Sequence, residues 1–206
     1  MTHSFPWTRL KLKDRERLCL YAEELLQWSK TYNLIGSLTR EELFDRHFTD
    51  GVVLLDHLLG TGKLADMGAG NGLPGIVVAL LAESIDDIVL IESRKKRVRF
   101  LNHVVAVLGL TQVRVYHGEV QAAGALWGEV FDTVISRGFG DLVHGAKEAW
   151  PLLRAGGQYL TFKGYNYQNE FEYFHSQKIC GGYEMPTVVY EQSGSGNRIV
   201  RMIKKS

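Results

Sequence analysis

The sequence predicts an α/β fold, a mostly parallel sheet with helices on both faces and an antiparallel hairpin at its C-terminal edge. Three observations lead there. Beyond residue 62, short apolar runs of strand character alternate with segments of helical period. A glycine cluster, Gly68, Gly70 and Gly72, stands between the first of these strands and the following helix. The last two strand-like runs are joined by a short Gly/Ser turn with no room for a crossover helix, so they pair antiparallel.

The elements follow in order. Over residues 11–32, Leu18, Tyr21, Ala22, Leu25, Leu26 and Trp28 fall at helical spacing. Thr39, followed by Glu41 and Glu42, caps a second helix through Phe48. Residues 52–59 read as another helix, stopped by Gly60 and Gly62. Then the period changes. Residues 63–67 form a first strand, 74–83 a helix with Pro74 near its first turn, and 88–91 an apolar strand covered on both faces. Residues 94–108 read as a helix ending at Gly109, 113–116 as a strand, 131–135 as another, and 141–153 as a helix closed by Gly156 and Gly157. A strand over 158–162, a helix over 168–177, and strands over 188–190 and 199–203 around the turn at 192–197 complete the set. A boundary at residue 60 sets off an N-terminal helical extension (residues 1–60), packed on an α/β domain (61–206) as one structural unit.

With 206 residues and 45% hydrophobic content, the chain suits one domain with a substantial core. No apolar run approaches the roughly 20 residues of a membrane span. Residues 1–17 scatter charges and contain no apolar signal region, so a cytoplasmic protein is expected. Cys19 and Cys180 read as reduced thiols. The histidines show no metal-ligand spacing with cysteine or each other, and no metal is expected. The net charge of +1 excludes a generally basic nucleic-acid binder. Locally, however, Arg94, Lys95, Lys96, Arg97 and Arg99 put five cations into six positions. Such a run is either a solvated helix face or a phosphate-binding strip.

The most informative segment is Asp66-Met-Gly-Ala-Gly-Asn-Gly-Leu-Pro-Gly75. Its glycines let the backbone turn tightly and approach a ligand without a Cβ clash. Leu73 stands where the dinucleotide fingerprint needs its third glycine, and no Gly-Lys-Ser/Thr follows, so a pyrophosphate cradle is not indicated. Glu92 ends the second strand, where a carboxylate can accept hydrogen bonds from both ribose hydroxyls of an adenosine. Gly118-Glu119, after the third strand, sit where an adenine edge would lie or form a plain turn.

The order of these pieces resembles the class I S-adenosylmethionine-dependent methyltransferases. More narrowly, the chain is similar to the glucose-inhibited division protein B family, the bacterial 16S rRNA guanine-N7 methyltransferases. The resemblance runs from about Tyr32 to Gly164. It is carried by Tyr32-Asn33-Leu34, Arg46-His47 with Asp50, the Asp66–Gly75 segment, Lys96-Arg97 with Phe100-Leu101, Ser136-Arg137-Gly138-Phe139 and Lys163-Gly164. It implies a Rossmann-like seven-stranded sheet, S-adenosyl-L-methionine as cofactor, and 16S rRNA or a small-subunit precursor as partner; the small size of the chain suits a monomer. Cofactor contacts are implied at Gly68, Leu73, Gly118, Glu119 and Arg137, with Gly70 and Glu92 added from the loop chemistry above. Glu92 replaces the family's usual aspartate, and Gly51 its usual serine.

Guanine N7 has an in-plane lone pair and needs no deprotonation, so positioning and electrostatics are expected to do the chemistry. Arg137 is read as orienting cofactor or base, and Lys163 as steadying RNA phosphate or the base edge. Asn33, Arg46 and His47 are assigned to the RNA side by the resemblance, and Lys95, Lys96 and Arg99 by their charge. Phe139 either stacks on a flipped guanine or belongs to the core. Two other readings stay open: a methyltransferase of a small molecule or protein, and a non-catalytic nucleotide-binding module using NAD.

Overall fold

A computed structural model describes residues 5–59, 62–192 and 197–206. The expected stop at Gly60 and most of the 192–197 turn lie outside the described residues. Seven strands make one sheet: β1 (Gly62–Met67), β2 (Ile85–Glu92), β3 (Val113–His117), β4 (Phe131–Arg137), β5 (Leu153–Lys163), β6 (Thr187–Glu191) and β7 (Arg198–Ile203). Their order is β3-β2-β1-β4-β5-β7-β6. The pairs among β1 to β5 are parallel, while β7 runs antiparallel to both β5 and β6, which is the expected edge hairpin.

Both faces of the sheet are covered, and the strands alternate between them. Leu64, Ile88, Leu90, Ile135 and Leu160 point into one core, which also holds α1 (Leu12–Tyr32), α4 (Gly75–Leu81) and α5 (Lys95–Val107). Ala65, Val89, Ile91, Val134 and Tyr159 point into the other, beneath α6 (Val120–Trp127), α7 (Leu142–Ala149) and α8 (Tyr167–His175). This period of two inside continuous apolar runs is what a doubly covered strand requires.

The N-terminal helices join the first core. A capping box between Thr39 and Glu42 starts α2 (Arg40–Leu43), which passes through a π-helical turn (Phe44–Phe48) directly into α3 (Thr49–Leu55). The two helices expected over 39–48 and 52–59 are therefore one helical run. In its first turn α3 meets α4 so closely that a Cβ on Gly51 would fall 2.5 Å from Val77 Cβ, so a larger residue there would push the two helices apart.

Two other expectations are corrected. The helix read over 141–153 ends at Ala149; Trp150 and Pro151 turn the chain, and Gly156 and Gly157 lie within β5 instead of closing the helix. Helix α6, unanticipated because Gly124 and Gly128 punctuate it, connects β3 to β4. Of the C-terminal cations, Lys204 is buried and donates to the carbonyls of Trp150 (3.0 Å) and Leu153 (2.9 Å) just beyond α7.

Candidate active site

Strand order reverses between β1 and β4, and an open α/β sheet binds ligands beyond the C-terminal ends of its strands at such a switch point. There β1 leads into the glycine loop. Gly68, Gly70 and Gly72 have φ of 65°, 62° and 86°, a region that residues with a Cβ enter only under strain. The Tyr21 hydroxyl, reaching from α1, donates to the Asn71 carbonyl at 2.7 Å and fixes the loop from below. A Cβ on Gly72 would come within 2.5 Å of Ile76, and one on Gly68 within 2.7 Å of the Phe139 ring. Gly70 differs: a Cβ there meets nothing nearer than Arg97 Nη1 and the Gly68 carbonyl, both at 3.7 Å. That flank of the loop is an open cradle.

Glu92 faces the cradle from the end of β2, only 4% exposed. One carboxylate oxygen accepts the Gly70 N–H at 2.9 Å and the other the Arg94 N–H at 2.8 Å, with Arg97 Nη1 at 3.6 Å. Each oxygen keeps further acceptor capacity, so the group is a pre-set bidentate acceptor as well as a fastener of the loop. Gly118 donates its N–H to the Glu92 carbonyl at 3.1 Å, and exposed Glu119 heads α6 beside it. Leu73 is buried under the loop.

Asp66 is fully buried. Its Oδ2 accepts the Gly75 N–H at 3.1 Å, while among the described residues nothing donates to Oδ1. Burial, opposed by that hydrogen bond and by the charge of Arg137, pushes its pKa up to about 7. A buried oxygen without a donor is costly and invites one from a ligand. S-adenosyl-L-methionine offers a ribose diol suited to Glu92 and an ammonium group suited to Asp66, so these two acceptors fit this cofactor.

The other half of the site is built around Arg137. Ser136 is buried at the tip of β4, hydrogen-bonded to the Tyr159 hydroxyl at 2.7 Å, and the next residue emerges on the opposite side. Arg137 Nη1 donates to His47 Nδ1 at 2.7 Å and to Asp50 Oδ2 at 3.0 Å. A guanidinium only donates, so Nδ1 is the acceptor and the ring proton sits on Nε2. Burial, then the charges of Arg137 and Arg46, lower the His47 pKa to about 4, which leaves the ring neutral at pH 7. Burial raises Asp50 to about 6, against the pull of Arg137. The π-helical turn carries His47, and such turns often mark functional positions.

A cavity of about 550 Å³ opens over this cluster, walled by Arg46, His47, Asp50, Arg137, Phe162 and Lys163. That lies within the roughly 300–1,000 Å³ of small-molecule sites. Lys163 is itself buried, donating to the Gly140 carbonyl at 2.9 Å and pairing with Glu170 at 2.7 Å, so it braces the 138–140 loop against α8. Phe139 is half-buried on Gly68 and stacks on His144, with centroids 5.4 Å apart.

The remaining sequence candidates stand outside the cavity. Asn33 caps α1 in the left-handed conformation (φ 49°), exposed. Lys95, Lys96 and Arg99 are exposed on the first turns of α5, on the same rim as Glu92. Sequence reasoning passed over Tyr21, which reads as ordinary core, and Asp66 and Glu170, whose pairings join one element to the next and leave no local pattern. The run of five cations contained a signal for Arg97, since it lies one turn beyond the acid it pairs with.

Among the described residues, no cluster of histidine, cysteine and carboxylate side chains could hold a metal, and no helix is long and apolar enough to cross a membrane.

Comparison with known proteins gives a consistent result. Residues 14–196 match the model of the GidB family, rRNA small subunit methyltransferase G. The ribosomal RNA small subunit methyltransferase G of Magnetococcus marinus is 32% identical over 190 residues, 92% of this chain and 86% of that one. Its counterpart in Neisseria meningitidis serogroup B is 35% identical over 156 residues, 76% of this chain and 73% of that one. Among solved structures, P. horikoshii TYW2 in complex with MeSAdo superposes with a TM-score of 0.56, covering 78% of this chain and 63% of that one. At 14% identity that likeness shows the fold alone.

Proposed function

The chain belongs to the GidB family, rRNA small subunit methyltransferase G, and from that premise we propose that it methylates N7 of a guanine in 16S ribosomal RNA. It is an S-adenosyl-L-methionine-dependent enzyme. The observation that carries the N7 reading is Arg137, pinned by His47 and Asp50 where its charge is felt by Asp66 on the cofactor side and by Asp50 in the cavity wall.

When bound, S-adenosyl-L-methionine supplies an electrophilic methyl group. Gly68, Gly70, Leu73, Gly118 and Glu119 would form its bed, with Glu92 on the ribose hydroxyls. Guanine N7 presents its own lone pair and needs no base, and His47 is already spent as the acceptor from Arg137. The residues therefore position the base and settle charge around it. Arg137 orients the reacting partners, and Lys163 keeps the 138–140 loop in place beside them. Asn33, Arg46, His47, Lys95, Lys96 and Arg99 face the RNA.

We treat the N-terminal helices as part of the catalytic unit, because α3 and the π-helical turn furnish two of the three residues in the Arg137 cluster. One chain supplies both halves of the site, which supports reading the enzyme as a monomer. Titration calorimetry tests the cofactor assignment: S-adenosylhomocysteine should bind and NAD should not, and the reverse result would favour a nucleotide-binding module.

A further inference from the structure

Strand β5 leaves the sheet at Lys163-Gly164, both of which line the cavity, and the next side chain, Tyr165, is 70% exposed. Beneath it lies Arg198, the first residue of β7 and the register partner of Lys163. The Arg198 guanidinium is 4.5 Å from the ring centroid of Tyr167 and 5.9 Å from that of Tyr165. Its side chain is only 12% exposed and is held by Glu191, its partner on β6. A fixed cation thus backs two aromatic rings, and Tyr165 presents its surface to solvent at the mouth of the cavity.

We propose that Tyr165 is a stacking platform for the RNA nucleotide next to the target guanine, whose base lies on the tyrosine ring while the target occupies the cavity. This rests on the ribosomal RNA reading above. Turning one base out of a strand leaves its neighbour without a stacking partner, and an exposed ring beside the pocket replaces that partner. Proteins read single-stranded RNA largely through such aromatic stacking. Among the described residues, Arg46, exposed on the cavity wall and held only by a surface pair with Glu42, is the cation there that can turn to an RNA phosphate. Tyr165 then selects for an unpaired, flexible strand, because a base held inside a duplex cannot reach the ring.

The test is steady-state methylation of 16S rRNA by the wild type and by Tyr165→Ala, Tyr165→Leu and Tyr165→Phe. Removing the ring should raise KM for RNA about tenfold in the Ala and Leu variants. Turnover at saturating RNA should stay within about twofold, S-adenosylhomocysteine affinity should be unchanged, and Tyr165→Phe should restore the wild-type KM. An unchanged KM in Tyr165→Ala, or Leu performing as well as Phe, overturns the platform while leaving the methyltransferase reading intact. A folded wild type that methylates no ribosomal RNA overturns both.

Discussion

Arg137 at the tip of β4 donates to Asp50 of α3 across 3.0 Å, so a residue of the sheet is oriented by the N-terminal helices, 87 positions earlier in the chain. Protonating Asp50 would release that grip. Burial holds its pKa at about 6, so turnover at saturating substrates should fall as pH drops through about 6. Asp50→Asn should lose this acid limb, and Arg137→Ala should lower kcat about 100-fold at saturating cofactor and RNA. A pH–rate profile of each variant checks this. An Asp50→Asn enzyme that keeps the same limb would remove Asp50 from the role.

Asp66 makes a separate prediction about stability. Its folded pKa, about 7, lies above the ordinary carboxylate value of 3.8, so the folded state binds the proton more tightly than the unfolded chain does. That contribution is complete below about pH 4 and is lost as pH rises towards 7. Asp66→Asn lacks it. The melting temperature of the variant relative to wild type should therefore climb between pH 4.5 and about 7 and level off above. Parallel melting curves across that range would show that Asp66 ionises normally.

The glycine loop separates binding from folding. Gly70→Val should abolish S-adenosylhomocysteine binding, because its side chain enters the open cradle, and a melting curve reads separately the strain of a β-branched residue at φ 62°. Glu92→Ala should weaken binding by about one to two decades, because the charge-assisted hydrogen bonds to the ribose disappear. Calorimetry on the folded variants decides both. Near-native affinity in either would move the ligand elsewhere.

Much of this was legible in the sequence for physical reasons. Doubly covered strands bury apolar side chains on both faces, so β1, β2 and β4 show as short apolar runs, and the glycine cluster with Glu92 marks the cofactor side because backbone approach and diol recognition need those residue types. What stayed hidden depends on pairings between elements. Nothing local shows that Lys163 is buried against Glu170, that Tyr21 holds the loop at Asn71, or that His47 ends up an acceptor with its pKa near 4. Gly156 and Gly157 misled because the same pair that closes a helix also serves inside a strand, here where β5 crosses the carbonyls of Phe131 and Asp132 with no room for a side chain on Gly157.

The cations on α5 give a salt-dependent prediction. Lys95, Lys96 and Arg99 are exposed on the rim, and replacing all three with glutamine should weaken RNA binding. For every phosphate no longer neutralised, the slope of log K against log salt should become shallower by about 0.7–0.9. Cofactor affinity should be unaffected. If affinity and slope both stay at wild-type values, these residues only solvate the helix.

The central claim is methyl transfer to guanine N7 in 16S rRNA by a site organised around Arg137. Ribosomal RNA from a strain lacking this protein, incubated with tritiated S-adenosyl-L-methionine and the purified enzyme, should acquire label as 7-methylguanosine at one position. Arg137→Ala should leave that position almost unlabelled. Label in another nucleoside, or none in the 16S rRNA with a folded, cofactor-binding enzyme, would contradict it.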